Sequence, residues 1–99
     1  MPDPLPYRTT PVFDETSLPQ ALRHEHRTRA GVWGVIHVLD GGLKLTLLDP
    51  PGERTLAAGD RAVVLPQQPH FVTPLGPVRM QVGFYDQPPA LPAGDTRPS

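Results

Sequence analysis

The chain has 99 residues, of which 15 are proline and none is cysteine, and its formal net charge is -1. This length suits one small domain, and the lack of cysteine excludes disulfides and thiolate metal sites. Nine basic and ten acidic residues are spread without runs of either sign, so the charge pattern favours neither nucleic acid nor an anionic membrane as a partner.

The first 19 residues are interrupted by prolines and predict an extended N-terminal arm. Residues 1–6 lack the basic and apolar regions of a signal peptide, and no apolar run in the sequence is long enough to cross a bilayer. We therefore expect a cytoplasmic protein. The domain itself is expected over residues 20–86, followed by a disordered proline-rich tail over residues 87–99.

Short apolar runs separated by proline and glycine predict an all-β, single-domain fold, because proline is excluded from central strands and marks their ends. The first part of the domain is ambiguous. Residues 21–27 alternate loosely, which allows an edge strand, whereas Pro19 suits the first turn of a short helix over residues 19–22.

The clearest strand is predicted over residues 32–39, which are rich in β-branched side chains. The Asp40-Gly41-Gly42 segment predicts a tight hairpin turn, and residues 43–47 alternate as the returning strand. Four further short strands are predicted over residues 53–56, 62–65, 71–73 and 78–85. Alternation within the strands predicts a core made of Ile36, Val38, Leu45, Leu47, Val64, Met80, Val82 and Phe84.

Three histidines form a candidate metal site. His24 and His26 are two residues apart, so on a strand they would project from the same face, and His70 follows the proline corner at residues 66–69. Neutral imidazoles suit a divalent transition metal, zinc, iron or nickel, and spacing does not choose among them. An open position on such an ion would allow catalysis. Simple solvation of the same histidines is the alternative.

Other side chains bear on a binding pocket. Gln81 and Tyr85 share one face of the last strand and are candidates to line a pocket, as is Trp33, although a tryptophan is more often a core or interface anchor. His37 has the opposite parity to the apolar residues around it, which predicts a role in packing or at an interface. Arg23, Arg27 and Arg29 form a small basic cluster that would suit an anionic ligand or a solvated face.

The chain resembles the TehB/YeaR-like domains, small cupin-type domains that occur alone or fused ahead of the tellurite-resistance methyltransferase. The matching segments are residues 7–13, 26–34, 38–41, 66–70, 74–77 and 83–85. The resemblance implies a cupin-like double-stranded β-helix, or jelly roll, with a pocket near His26 and His70. The general cupin pattern has a glutamate ligand where Gly34 stands, and some relatives have an acidic residue in place of Thr73 or Gly83. Only His26 and His70 are therefore carried over.

These observations predict a cupin-type domain that binds a divalent metal through histidines and a small polar ligand of unknown identity, in a stress or tellurite-type detoxification setting. The alternative is a metal-free module that binds a ligand or a partner without catalysis, and Gly34 in place of the glutamate favours it. Whether the protein is an enzyme stays open. A homodimer is expected, because residues 32–39 are apolar on both faces of the strand.

Overall fold

A computed structural model describes residues 5–89, so part of the predicted arm and residues 90–99 of the predicted tail lie outside the described residues. The elements in chain order are β1 Arg8–Thr9, β2 Phe13–Asp14, α1 Gln20–Arg23, β3 Trp33–Leu48, β4 Pro51–Ala57, β5 Arg61–Val64 and β6 His70–Tyr85. The all-β, single-domain prediction is confirmed. Within residues 5–89, no helix has the length and apolar character needed to cross a membrane.

The centre of the sheet is a long antiparallel ladder between β3 and β6, which pairs Trp33 with Tyr85 at one end and Leu47 with His70 at the other. On its other edge, β3 pairs with β5 along its first half and with β4 along its second half. The short strands β1 and β2 both pair with β6. Since β1 and β4 stand at the two ends of the strand order, the sheet of the described residues is open, and a closed cupin barrel is not confirmed.

The predicted hairpin turn at residues 40–42 is wrong, because β3 continues through this segment as one strand. Strand β6 is equally long and pairs with both halves of β3, so the segment has a partner throughout. The ladder has register shifts between Val38 and Asp40 and between Gly41 and Leu43. Gly41 has a positive φ of 78° and lies in this bulged bend, and not in a hairpin turn.

Prolines on β6 lie opposite the same bend. The predicted strands over residues 71–73 and 78–85 belong to one continuous strand that passes through Pro74 and Pro77. Because proline has no N–H to donate to the ladder, it is tolerated in a sheet at edges and bulges. Here the prolines accompany the irregular part of the ladder, and the chain continues in the same strand beyond them.

The bend lets the two halves of the ladder bury a common core. Six of the eight predicted core residues are buried, namely Ile36, Val38, Leu45, Val64, Met80 and Val82. Leu47 and Phe84 are partly buried and pack against that core. Each large apolar side chain that leaves water contributes about 1.5–3 kcal/mol, so this cluster is the main source of stability.

The ambiguous segment after Pro19 is helical. The Leu22 N–H donates to the Pro19 carbonyl oxygen over 3.0 Å, and Leu22 packs against the core. The strand over residues 21–27 is therefore not formed. His24 has extended backbone angles at the end of α1, and the chain meets the sheet again at His26.

Replacing Gly41 with alanine should strongly destabilise the protein. A Cβ at this position would overlap the Pro77 carbonyl oxygen and lie 2.9 Å from Val78 Cα, in addition to straining a backbone with positive φ. Urea unfolding of Gly41→Ala should show a loss of more than ~2 kcal/mol, beyond the roughly 1–2 kcal/mol of left-handed strain alone.

Gly59→Ala is the matched control. Gly59 also has a positive φ, 92°, yet a Cβ there would meet nothing within 4 Å. It should show the backbone strain without the steric overlap. Equal losses in the two variants would contradict the close approach at Gly41.

Candidate functional site

The structure brings His26 and His70 into direct contact. Each donates its backbone N–H to the carbonyl oxygen of the other, over 3.0 Å for His26 and 2.9 Å for His70. This isolated antiparallel bridge fixes the two residues side by side. Their ring centroids are 4.1 Å apart, with the ring planes inclined by 55°.

Backbone carbonyl groups select the tautomer of both imidazoles. The Nδ1 atom of His70 is 2.7 Å from the Gln68 carbonyl oxygen, and Nδ1 of His26 is 3.0 Å from the His24 carbonyl oxygen. A carbonyl oxygen only accepts, so each Nδ1 carries the proton that is donated. In the neutral rings both Nε2 atoms are then acceptors, and no residue within 5–89 hydrogen-bonds to either of them.

Burial keeps His70 neutral. Only 4% of His70 is exposed, and loss of water around the ring lowers the pKa of its imidazole from 6.5. The hydrogen bond to the Gln68 carbonyl opposes this shift, and a charge on His26 would add to it. His70 therefore presents an uncharged ring with a free lone pair at neutral pH.

The two imidazoles form part of the wall of an otherwise largely apolar cavity of about 180 Å³. Its apolar wall comes from both halves of the bent ladder, from β5 and from α1, with Leu22, Ile36, Val64, Val72, Met80, Val82 and Phe84. Arg27, Thr28 and Gly34 complete the lining. The cavity exists because the ladder bends and brings the two ends of β6 together.

Gly34 contributes space to this cavity. A Cβ at Gly34 would lie 3.7 Å from the Thr28 methyl group and 3.9 Å from Val64 Cβ, ordinary contact distances. The cupin resemblance places a metal-binding glutamate at this position. Its absence leaves room for a ligand where a carboxylate would otherwise stand.

The predicted metal centre is wrong. Within residues 5–89, no group of three or more histidine, cysteine, aspartate or glutamate side chains is placed to hold a metal ion. His24 lies on the exposed segment after α1, and only its carbonyl oxygen reaches His26. The strand that would have aligned His24 with His26 is not formed. The predictions of a zinc, iron or nickel cofactor and of a metal-binding function are therefore wrong.

The other predicted pocket residues lie elsewhere. Gln81 and Tyr85 line a separate groove of about 240 Å³ together with His37 and Arg61. Residues 81 and 85 alternate with the inward-facing Val82 and Phe84, so this groove is on the opposite face of the sheet. Burial, and then the nearby Arg61 charge, lower the pKa of His37. Trp33 is half-buried at the end of the ladder and lines neither the groove nor the cavity.

Sequence reasoning missed Thr28. Its hydroxyl donates to the Val32 carbonyl oxygen over 2.7 Å and accepts from the Gln67 N–H over 3.3 Å. Gln67 has a φ of 60° in the proline corner that precedes His70. Thr28 therefore ties the segment carrying His26 to the corner carrying His70, a link between distant residues for which the sequence has no local signal.

The comparisons with known proteins agree on one family. The family model described as the TehB-like domain matches residues 8–82. Two relatives from strains of Haemophilus influenzae, each named "Probable S-adenosyl-L-methionine-dependent methyltransferase TehB", are 38% and 36% identical over 47 residues. These matches cover 48% of this chain and 16% of each relative. The relatives' name thus refers to S-adenosyl-L-methionine and not to a metal.

Solved structures agree with the family match. The crystal structure of TehB from Haemophilus influenzae has a TM-score of 0.75 at 30% identity, covering 84% of this chain and 31% of that chain. A crystal structure of a protein from E. coli strain K12 has a TM-score of 0.77 at 22% identity, covering 86% and 92%. The second likeness shows the fold alone. This chain spans less than a third of the TehB chain.

We expect the free energy of unfolding to decrease at acid pH because of His70. Since burial lowers the folded-state pKa of His70, the unfolded chain binds more protons just below pH 6.5. The free energy of unfolding should be highest above pH 6.5 and should decrease as the pH falls toward the folded-state pKa. Urea unfolding between pH 8 and pH 5 measures this dependence.

In His70→Gln, the free energy of unfolding should depend less on pH. His24→Gln, on the exposed segment, should leave the pH dependence intact. His37 acts in the same direction from a half-buried position, so His37→Gln should remove a smaller part. Asp14 does not contribute between pH 8 and pH 5, because its ordinary pKa of 3.8 lies below this range and hydrogen bonds from Thr16 and Ser17 lower its folded-state pKa further, to about 2. An unchanged curve in His70→Gln would refute the burial argument.

Proposed function

The chain belongs to the TehB-like domain family, as its resemblance predicted, and we propose that it is a metal-free module that binds a small, mostly apolar molecule. The observation that carries the proposal is the cavity beside His26 and His70. It is lined mainly by apolar side chains and also by two imidazoles, whose Nδ1 atoms donate to backbone carbonyl oxygens and leave Nε2 to accept from a ligand.

The cavity's size and polarity indicate the kind of ligand. An engineered apolar cavity of about 150 Å³ in another protein binds benzene, and the cavity here is about 180 Å³. Most of its wall offers dispersion contacts and removal of apolar surface from water. The lone pairs at Nε2 of His26 and His70 require a donor. A single ring that carries an O–H or N–H group meets both conditions.

The relatives are named as methyltransferases, but the match to this chain covers only 16% of each of them. S-adenosyl-L-methionine joins an adenine, a ribose and a methionine, so it is several times larger than benzene. The cavity of about 180 Å³ beside the histidines is too small to enclose it. We therefore propose ligand binding, and not methyl transfer, for this cavity.

The jelly-roll arrangement is also part of the proposal. The bend that lets both halves of the β3–β6 ladder share one core supports it. The open strand order of the described residues argues against a complete barrel. A partly open jelly roll leaves the end near His26 accessible to a ligand.

Phenol should bind to the protein more tightly than benzene does. The two probes fill similar space, but only the phenol hydroxyl can donate to His26 or His70. One hydrogen bond contributes about 0.5–1.5 kcal/mol, which corresponds to a preference of roughly 2- to 12-fold. Titrations followed by ¹H–¹⁵N NMR, with the amides of His70 and Val72 as reporters, measure both affinities.

The preference for phenol should vanish in His26→Phe combined with His70→Phe, while benzene binding persists. Phenylalanine keeps a planar ring and removes the Nε2 acceptors, together with the Nδ1–H groups that donate to the Gln68 and His24 carbonyl oxygens. If neither probe perturbs the cavity amides of the wild-type protein, the proposed function is wrong.

Filling the cavity should abolish phenol binding without loss of stability. In Gly34→Val the added Cβ meets only ordinary contacts, and the methyl groups occupy ligand space. Valine also suits a strand better than glycine does. Phenol titration and urea unfolding of the same variant test both statements. Gly52→Val is the matched control on edge strand β4, where a Cβ meets nothing within 4 Å, and it should bind phenol normally.

A further inference from the structure

A second concave surface adjoins the cavity. This arginine groove, of about 300 Å³, is lined by Tyr7, Arg8, Arg27, Thr28, Arg29, Val32 and Phe84. Arg27, Thr28 and Phe84 also line the cavity beside the histidines. The two spaces are therefore neighbours that meet at these three residues.

The arginine groove has a local charge that the whole chain lacks. The chain carries a net charge of -1, yet three arginines and no carboxylate line this groove. Arg8 comes from β1, whereas Arg27 and Arg29 come from the segment after α1, so folding brings together cations from separate parts of the chain. Arg23, the third member of the cluster predicted from the sequence, does not line the groove.

One ion pair competes for this charge. Arg27 contacts a Glu25 carboxylate oxygen at 3.3 Å, and the two side chains are 54% and 58% exposed. Exposed pairs of this kind contribute only about 0–1 kcal/mol, so an incoming anion can replace Glu25 at modest cost. Within residues 5–89, neither Arg8 nor Arg29 forms an ion pair, and both are exposed.

We propose that the arginine groove binds the carboxylate of the same ligand whose ring occupies the cavity. This inference rests on the proposed function and specifies the class of its ligand: a small aromatic carboxylic acid with a hydrogen-bond donor on the ring. Guanidinium groups match a carboxylate in planar, two-point hydrogen bonding. The Phe84 side chain, shared by both spaces, provides the apolar contact between the ring and the anionic end.

A pair of probes of similar shape tests the inference. The first, 3-(4-hydroxyphenyl)propanoate, carries a hydroxyl and a carboxylate, and the second, 4-propylphenol, carries only the hydroxyl. In low salt the carboxylate probe should bind more tightly, and the difference should shrink as sodium chloride is added. NMR titration on the intact chain gives both affinities and shows whether the amides of Arg8 and Arg29 respond to the carboxylate alone.

Single variants then locate the interaction. Arg8→Gln and Arg29→Gln should each weaken binding of the carboxylate probe by about 2- to 5-fold and leave 4-propylphenol unchanged. Glu25→Gln should strengthen carboxylate binding by a similar factor, because it removes the competing anion. Arg79→Gln, an exposed arginine outside the groove, is the control for net charge and should have no effect.

The outcomes separate the two proposals. Equal affinity for both probes, or an equal loss in Arg79→Gln and Arg29→Gln, would overturn the carboxylate site while leaving the cavity proposal intact. Failure of 4-propylphenol itself to perturb the amides of His70 and Val72 would refute the cavity as a binding site. Carboxylate-dependent shifts at Arg8 and Arg29 that Glu25→Gln enhances would support the inference.

Discussion

The close approach of Gly41 to the Pro77 carbonyl group is the constraint on which the rest of the structure depends. If it were regular, a ladder between two 16-residue strands would have a face too long to bury in one small core. The bulges beside Gly41 bend the ladder, so that both of its halves bury the same core. That bend also places His70, at one end of β6, near Phe84, at the other end.

Desolvation shapes the chemistry of the site. His26 and His70 each donate from Nδ1 to a backbone carbonyl oxygen, and burial disfavours a charge on His70. A third ligand or a carboxylate would be needed to make the pair a metal centre. Gly34 supplies neither, so the pair lines a cavity. Gly34, where the general cupin pattern has a glutamate, therefore also leaves space in the cavity wall.

Polar side chains line concave surfaces on both faces of the sheet. The inner face holds the histidine pair, whereas His37, Gln81 and Tyr85 share a groove on the outer face. The arginine groove lies where β1 pairs with the end of β6, and it shares Arg27, Thr28 and Phe84 with the lining of the cavity. The TehB chain is longer than this chain, which covers 31% of it.

Sequence alone determined the all-β class and the inward parity of most core residues, because local alternation encodes these features. The family resemblance, and not the local pattern, implied a pocket near His26 and His70. It did not determine the course of residues 40–42, which match a hairpin turn locally but follow their long partner β6 in the fold. Nor did it exclude His24, whose alignment with His26 required a strand that the helix after Pro19 replaces. Tertiary structure decided these points, since strand partners, burial and cavities arise from contacts between distant residues.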